Sequence, residues 1–400
     1  MTKVSVVIPF YQRQPGLLRR ALQSVFAQDL DGDVEVDVIV VNDQSPISPA
    51  PEAEGLAREN YRLRIIERPN GGPAMARNTG LDAAAGSDFI AFLDSDDWWE
   101  ARHLTQGIAA LRDGAQLYFA NHSIEGAVLG FYYAPLMPAV LARSTACAGD
   151  ARQVASDVLM ERFVEEQAAH LSAVLLDAHA LGDLRYDERR KMTGEDYLYL
   201  LAAIARSERV AFSLAPTAVR GRGIDFYRGA YGWDNPDTIR RLYSDLRVFT
   251  TVRKIYCRTA GEKKLTDGKI DARRLEILFL LLRNAAAHAK TNAEIAGGLV
   301  RHDPGFWLML PRNLFTIFSK KLRGEVFEAE RIEIIAVGAQ EEQLAKLRAL
   351  LAQTDAKLAA YVAEEEAALL AWFRGETEPA KALMESWRPA LESRHAHQAT

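Results

Sequence analysis

The chain has 400 residues, more than one compact unit usually takes up. It is 48% hydrophobic and 26% charged, an ordinary globular composition, with a formal net charge of 49 − 54 = −5. No global basic field exists to attract nucleic acid, and two distant cysteines, Cys147 and Cys257, make neither a disulfide framework nor a zinc cluster, so a reducing cytoplasm is the expected setting.

The N-terminal stretch "MTKVSVVIPFYQ" has too short an apolar run for a signal-peptide core, and no window reaches about 18 consecutive apolar residues. Instead Lys3–Ile8 reads as a buried strand. Pro15–Gln28 follows as an amphipathic helix with Leu18, Leu22, Val25 and Phe26 on one side. "EVDVIVVND" and Leu63–Glu67 are further strands. Pro73–Ala84 suits a helix with proline in its first turn. Asp88–Leu93 is a fourth strand, and Ala101–Leu111 a helix. Apolar strands without polar alternation, separated by helices, predict a parallel sheet covered on both faces. Ligands of such sheets bind beyond the carboxyl ends of the strands. The strand ends here, "PFYQ", "NDQS", "ERPNGG" and "DSDD", are polar or glycine-rich, and they would gather along one edge.

Beyond Leu117, "SAVLLDAHAL" reads as a strand entering a helix, and "GEDYLYLLAAIARS" as a helix buried through Leu198, Leu201 and Ile204. "VAFSLAPTAVRGRG" suggests a strand pair and a loop. Asp237–Ile255 and Ala272–His288 are helical patterns, with "CRTAGEKKLTDGK" between them as an exposed linker. Residues 302–324 mix Phe306, Trp307, Leu314, Phe315 and Phe318 with Arg312, Lys320, Lys321 and Arg323. That mixture suits an interfacial helix pair on an anionic membrane, or a hydrophobic hairpin packed on the core. After a short strand-like "RIEIIAV", residues 341–373 form an amphipathic helical pattern. Leu344, Leu351 and Leu358 lie seven apart, which fits packing on the same chain or a homodimer coiled coil.

The chemistry concentrates in "FIAFLDSDDWWE". An apolar strand runs into Asp94, Asp96 and Asp97, with only Ser95 between the first two. Carboxylates so close raise each other's pKa unless a cation compensates, and Mg2+ or Mn2+ beside a diphosphate would supply one. A capping or turn cluster opening a helix at "DDWWEA" is the structural alternative. Glu195-Asp196 in "TGED" likewise reads as a helix start favoured by the macrodipole, or as an acid–base pair. His122, His170 and His179 lack metal-ligand spacing and read as structural histidines.

Four segments, "VSVVIPFYQRQPGLLRRALQSVFAQ", "VIVVNDQS", "NGGPAMARNTGLDAAAGSDFIAFLDSDD" and "TGEDYLYL", occur in this order. Together they resemble family 2 inverting glycosyltransferases, most closely the bacterial succinoglycan-type exopolysaccharide glucosyltransferases. The resemblance covers residues 3–225. It implies an α/β GT-A fold, a Rossmann-like mixed sheet with helices on both faces, over 1–228. A helical extension over 229–328 and a C-terminal helical region over 329–400 would follow. It further implies that Pro9, Phe10 and Tyr11 hold the nucleotide base and ribose, and that Asp43 reads the uracil N–H. The family usually has Asp-Gly-Ser or Asp-Ser-Ser where this chain has Gln44 after Asp43. Gly71, Gly72 and Pro73 match the loop near the nucleotide, and Arg77 and Asn78 match positions facing the donor. Asp94, with Ser95, matches the ribose contact, and Asp96, with Asp94, the metal site. Asp196 matches the base and Glu195 an acceptor-orienting acid.

Trp98 and Trp99 could form a sugar platform or belong to the core, and Arg220 or Arg222 could neutralise the leaving diphosphate or lie on a surface loop. Neither a Q-x-x-R-W motif nor flanking membrane helices occur, which favours single-sugar transfer over polymer synthesis. The expected partners are a UDP-sugar, UDP-glucose favoured, and a saccharide acceptor, lipid-linked at the inner face of the plasma membrane. A non-catalytic nucleotide-sugar-binding scaffold is the competing reading, against which the intact Asp94, Asp96 and Asp196 speak.

Overall fold

Strand β1 (Thr2–Phe10) shows how the apolar run builds both halves of the core. Val4, Val6, Ile8 and Phe10 face one layer and Val7 the other, as the two-residue period of a strand requires. The computed structural model describes residues 1–125, 140, 143–149, 151–165, 167, 169–190, 193–221 and 235–323. After β1 come α1 (Leu17–Phe26), β2 (Val34–Asn42), α2 (Ala50–Ala53), β3 (Tyr61–Glu67) and α3 (Pro73–Ala83). Then follow β4 (Phe89–Phe92), β5 (Trp98–Trp99), α4 (His103–Arg112), β6 (Leu117–Ile124), β7 (Thr145–Ala146) and β8 (Ala151–Ala155). The chain continues through α5 (Ser156–Glu165), a 3-10 turn (Leu171–Ala173), β9 (Val174–Asp177), α6 (Ala178–Leu181), α7 (Glu195–Arg206) and β10 (Arg209–Arg220). A helical extension closes the described part: α8 (Pro236–Ile255), α9 (Ala260–Arg283), α10 (Ala289–His302), α11 (Gly305–Leu308) and α12 (Leu310–Leu322).

The strands form one sheet in the order β3-β2-β1-β4-β9-β6-β10-β8-β7, with β5 paired to β10. The β3-β2-β1-β4 half is parallel, as expected. The order turns back at β1, so the chain leaves β1 and β4 on either side of a crevice. The other half departs from the parallel expectation. β9 runs antiparallel to both β4 and β6, and the sheet is mixed. Since β6 and β10 are parallel to each other, the carboxyl ends of β1, β2, β4, β6 and β10 all reach one edge. The amino end of β9 reaches it too.

Leu18, Leu22, Leu104 and Ile108 of α1 and α4 cover one face, and Ala74, Ala76, Leu81, Leu200 and Ile204 of α3 and α7 the other. Gly80 of α3 lies against Val7, and a Cβ there would fall on the valine γ-methyl. Gly80→Ala should therefore cost about 1–3 kcal/mol of stability by overpacking. Urea unfolding measures this, and an unchanged midpoint would count against the close approach of α3 to β1.

Three local expectations are corrected. "VAFSLAPTAVR" is one strand, β10, whose register shifts at Pro216 let it pair β8 first and β5 later, so the proline marks an irregularity and not a hairpin. Trp98 and Trp99 form a strand rather than a helix start, and the helix begins at His103. The expected linker "CRTAGEKKLTDGK" holds the start of α9. Thr259 and Glu262 form a reciprocal capping box, a signal that outweighs the polar composition. α8, α9, α10 and α11 enclose a separate core of Ile239, Leu242, Leu246, Ile277, Leu280, Leu299 and Phe306. No helix among the described residues is long and apolar enough to cross a membrane. "RIEIIAV", the 341–373 pattern and Arg222 lie outside the described residues.

Candidate active site

The edge of the sheet is lined first by the turn after β4. Asp97 donates its backbone N–H to the Asp94 carbonyl at 3.0 Å, which closes a tight turn around Ser95 and Asp96. The turn is pinned from three sides. Ser172 Oγ accepts from the Asp94 N–H at 3.0 Å, and Gln12 Nε2, beyond β1, donates to Ser95 Oγ at 2.8 Å. Arg20 of α1 donates to the Asp96 carbonyl at 3.3 Å while its guanidinium stacks 3.8 Å above the Trp98 ring. The Asp97 carboxylate is a hub. One oxygen meets His170 Nε2 and Ser172 Oγ, each at 2.6 Å, and the other accepts the Gly221 N–H at 2.8 Å. A Cβ on Gly221 would strike the Asp96 carbonyl, so the end of β10 closes directly on the turn.

Arg77 of α3 organises the other wall. Its side chain is 5% exposed, and its Nη2 donates to Asp94 Oδ1 at 2.7 Å. Nη1 donates to Asp196 Oδ1 at 2.7 Å and stands 3.6 Å from Glu195 Oε1. One guanidinium thus spans the end of β4 and the first turn of α7, a use to which its planar fork is suited and an ammonium is not. Burial works against the arginine's charge, but Asp196 and Asp94 outweigh it and hold its pKa well above the usual value. Asp94 is pushed up by burial and pulled down further by Arg77 and His170, ending below the ordinary range. Asp196 goes the other way: burial, with the Glu195 and Asp94 charges, lifts it to about 7 in spite of Arg77. Asp96 is also lifted to about 7, by burial and then by Asp97 and Asp94. Burial lowers His170, yet Asp97 and Asp94 outweigh it and leave its pKa raised.

The expected nucleotide side is built from β1 and β2. The Phe10 carbonyl accepts the Asp43 N–H at 3.0 Å, which holds the two strand ends together. The Asp43 carboxylate accepts from the Gly71 N–H at 3.0 Å, the Gly72 N–H at 2.8 Å and the Arg68 guanidinium. In this structure it therefore anchors the glycine loop that opens α3. Gly72 has φ of 89°, a conformation glycine adopts without strain. Asn78 exchanges hydrogen bonds with the Tyr186 backbone at 2.8 and 3.1 Å and donates to Glu188. Those bonds brace Tyr186, whose ring lies 5.5 Å beneath the Arg77 guanidinium.

The structure gathers Arg77, Asp94, Asp96, Glu195, Asp196 and the strand-end residues Pro9, Phe10, Tyr11 and Asp43 along this edge. Phe10 is fully buried and faces the core. Trp99 is fully buried as well, its Nε1 donating to the Ser172 carbonyl at 2.5 Å, so its platform role is corrected to a core role. Trp98 is 9% exposed beneath Arg20 and shows too little ring face to carry a sugar. Arg220 ends β10 close enough to act on the charges of Asp94 and His170. Sequence reasoning missed His170, Ser172, Gln12, Arg20 and Arg68. Only the "DSDD" turn hinted that buried partners must exist.

A divalent cation is implied by the acidic turn, and the residues fit one. Among the described residues, one ligand atom each of Asp94, Asp97 and His170 lies within 4.8 Å of the others. Burial, and then the neighbouring Asp97 and Asp94, lift the Asp96 pKa, and a cation placed there would favour its charged form. The trio pairs Asp94 with Asp97 and His170, where the sequence pointed to Asp94 with Asp96.

A family model described as "Glycosyl transferase family 2" matches residues 5–146. The succinoglycan biosynthesis protein ExoW of Rhizobium meliloti (strain 1021) is 34% identical over 264 residues, 64% of this chain and 80% of that protein. The uncharacterized glycosyltransferase EpsJ of Bacillus subtilis (strain 168) is 37% identical over 95 residues, 24% of this chain and 26% of that one. A crystal structure of S. aureus TarS in complex with UDP-GlcNAc is 16% identical, with TM-score 0.47, over 98% of this chain and 92% of that one. The sheet order and these sequence matches define a glycosyltransferase of the GT-A fold. The chain belongs to glycosyl transferase family 2.

Proposed function

We propose that the enzyme transfers a single sugar, with inversion, from a nucleotide sugar to a saccharide acceptor in exopolysaccharide or other surface-polysaccharide synthesis. UDP-glucose is the favoured donor, and the acceptor is lipid-linked and met at the inner face of the plasma membrane. The observation that carries this reading is Arg77, whose guanidinium stands 2.7 Å from both Asp94 and Asp196. It joins a carboxylate at the β4 end, where nucleotides bind in such sheets, to one at the start of α7.

Asp196 is the base. Its side chain is 27% exposed against 11% for Glu195, so Asp196 is the more open of the two to the crevice. The acceptor hydroxyl oxygen forms a bond to the anomeric carbon as the bond from that carbon to the diphosphate oxygen breaks. The hydroxyl proton passes to Asp196, and the electron pair leaves with the nucleotide. A pKa of about 7 suits the task, since a base near the working pH combines availability with strength. Glu195 orients the acceptor hydroxyl. Arg77, and Arg220 from β10, bring positive charge toward the departing diphosphate. Asp94 and Asp96 would hold Mg2+ or Mn2+, with Asp97 and His170 joining them only once His170 gives up its proton and its bond to Asp97, and the ion when bound would neutralise charge on the diphosphate.

A thermal-shift series tests the donor and the cation together. UDP-glucose with Mn2+ should raise the melting temperature more than GDP-, dTDP- or ADP-glucose does, and EDTA should remove most of the shift. Asp94→Asn and Asp96→Asn should each lose the metal-dependent part. A shift of equal size in EDTA would reject the cation. Donor binding without any transfer or UDP release under all conditions would favour the scaffold reading.

A further inference from the structure

We propose that the outer face of α12, continued by α11, is a docking surface for an anionic lipid bilayer. The helix packs inward through Leu310 and Ile317, with Asn313 buried and Phe306 of α11 beneath. Its other side is apolar as well. Phe315 is 74% exposed, Phe318 61% and Leu322 72%, and these positions recur at i, i+3 and i+7, one stripe of a helix. Leu308 of α11, 82% exposed, adds to the apolar surface. A surface helix of a water-facing protein normally turns such a stripe to the core, so a second apolar side calls for a second apolar neighbour.

Charge identifies the neighbour. Residues 304–323 contain four cations, Arg312, Lys320, Lys321 and Arg323, and no acid, a local charge of 4 − 0 = +4 in a chain whose total is −5. Arg312 is engaged with Asp271 at 2.8 Å and Arg323 with Ser319 Oγ at 2.9 Å, and Lys320, Lys321 and Arg323 gather positive charge at the C-terminal end of α12. Aromatic and leucine side chains that enter the acyl boundary, flanked by lysines and arginines at the headgroup level, are the pattern of a helix lying in a membrane interface. The stripe from Phe315 to Leu322 runs about 10 Å along the helix, enough to lie flat on a bilayer and far too short to cross it. A basic rim selects anionic lipid over neutral lipid by direct attraction.

Vesicle co-flotation of the full chain tests this. Vesicles of phosphatidylcholine with about a third phosphatidylglycerol should carry at least ten times more protein than pure phosphatidylcholine, and the excess should fall with salt. The double variant Phe315→Glu, Phe318→Glu should lose at least tenfold in binding, with unchanged melting temperature and unchanged transfer to a soluble saccharide acceptor. Lys320→Glu with Lys321→Glu should lose the preference for phosphatidylglycerol. Failure of the full chain to bind anionic vesicles, or a double variant that binds like the parent, would overturn the proposal. So would a double variant that melts lower, which would mean the face is covered by residues 324–400, or one that changes a dimer to a monomer on a sizing column. Lipid binding requires none of the roles given to Arg77 or Asp196, so loss of transfer with binding intact would strike those roles alone.

Discussion

Asp196→Asn should lower kcat by about 10²–10⁴-fold, the usual worth of a positioned general base, while donor affinity stays within about twofold. The amide keeps the shape of the carboxylate and one oxygen able to accept from Arg77 Nη1, so the crevice should stay assembled. What it loses is the capacity to take a proton. Burial and two neighbouring acids place the Asp196 pKa at about 7. The sign follows directly: below that pH the carboxyl is protonated and cannot act as base, and above it the carboxylate is free to act. Parent activity should therefore climb as pH rises through about 7, and this acidic limb should vanish from the residual activity of the variant. The pH dependence of kcat/KM reads the free enzyme and is the appropriate measurement. Transfer at the parental rate by Asp196→Asn would remove the base assignment. A large loss in Glu195→Gln, with little in Asp196→Asn, would move the role to Glu195.

Arg77→Gln should be the most damaging single change, because it acts on fold and chemistry together. The side chain is buried and serves Asp94, Asp196 and Glu195 at once. Removing it leaves three carboxylates gathered without their common cation. Breaking a buried ion pair in this way costs about 3–5 kcal/mol, and for a unit of this size the melting temperature should fall by roughly 6–20 °C. The acid limb should move to higher pH at the same time, since Arg77 is the group that restrains the Asp196 pKa. Arg77→Lys separates the two effects. It restores a charge, so much of the stability should return, but a single ammonium cannot reproduce two bonds of 2.7 Å in divergent directions. Transfer should stay impaired. A glutamine variant that melts and transfers like the parent would refute the bridging role.

The first four strands, the helices between them and the paired acids at the start of α7 were legible because each is written in adjacent residues. A strand buried on both faces has no polar alternation to obscure it, and β1, β2 and β4 are apolar runs of this kind. The polar strand ends then had to meet at one edge. Failures came where a distant partner decided the outcome. The "DDWW" stretch has a fair composition for a helix start, but Trp98 and Trp99 pair with Val219 and Ala218 of β10 instead. Nor did adjacent residues show that the Asp43 carboxylate also holds Arg68, Gly71 and Gly72. The capping box at Thr259 was local and readable, and polar composition concealed it.

The sequence alone determined that an apolar strand delivers acids to the ligand edge of an α/β sheet, and it raised the expectation of a cation beside them. Period, composition and turn chemistry act over a few residues, and those suffice for it. Only the tertiary structure decided which cations answer. Arg77 lies 119 residues from Asp196, and His170 lies 73 from Asp97, separations across which no local pattern can carry information. His170 and Ser172 reach the turn because β9 is antiparallel, so the segment before it arrives where the parallel strands end. The direction of that strand is set by its neighbours β4 and β6, through pairing and burial that exist only once the sheet has formed.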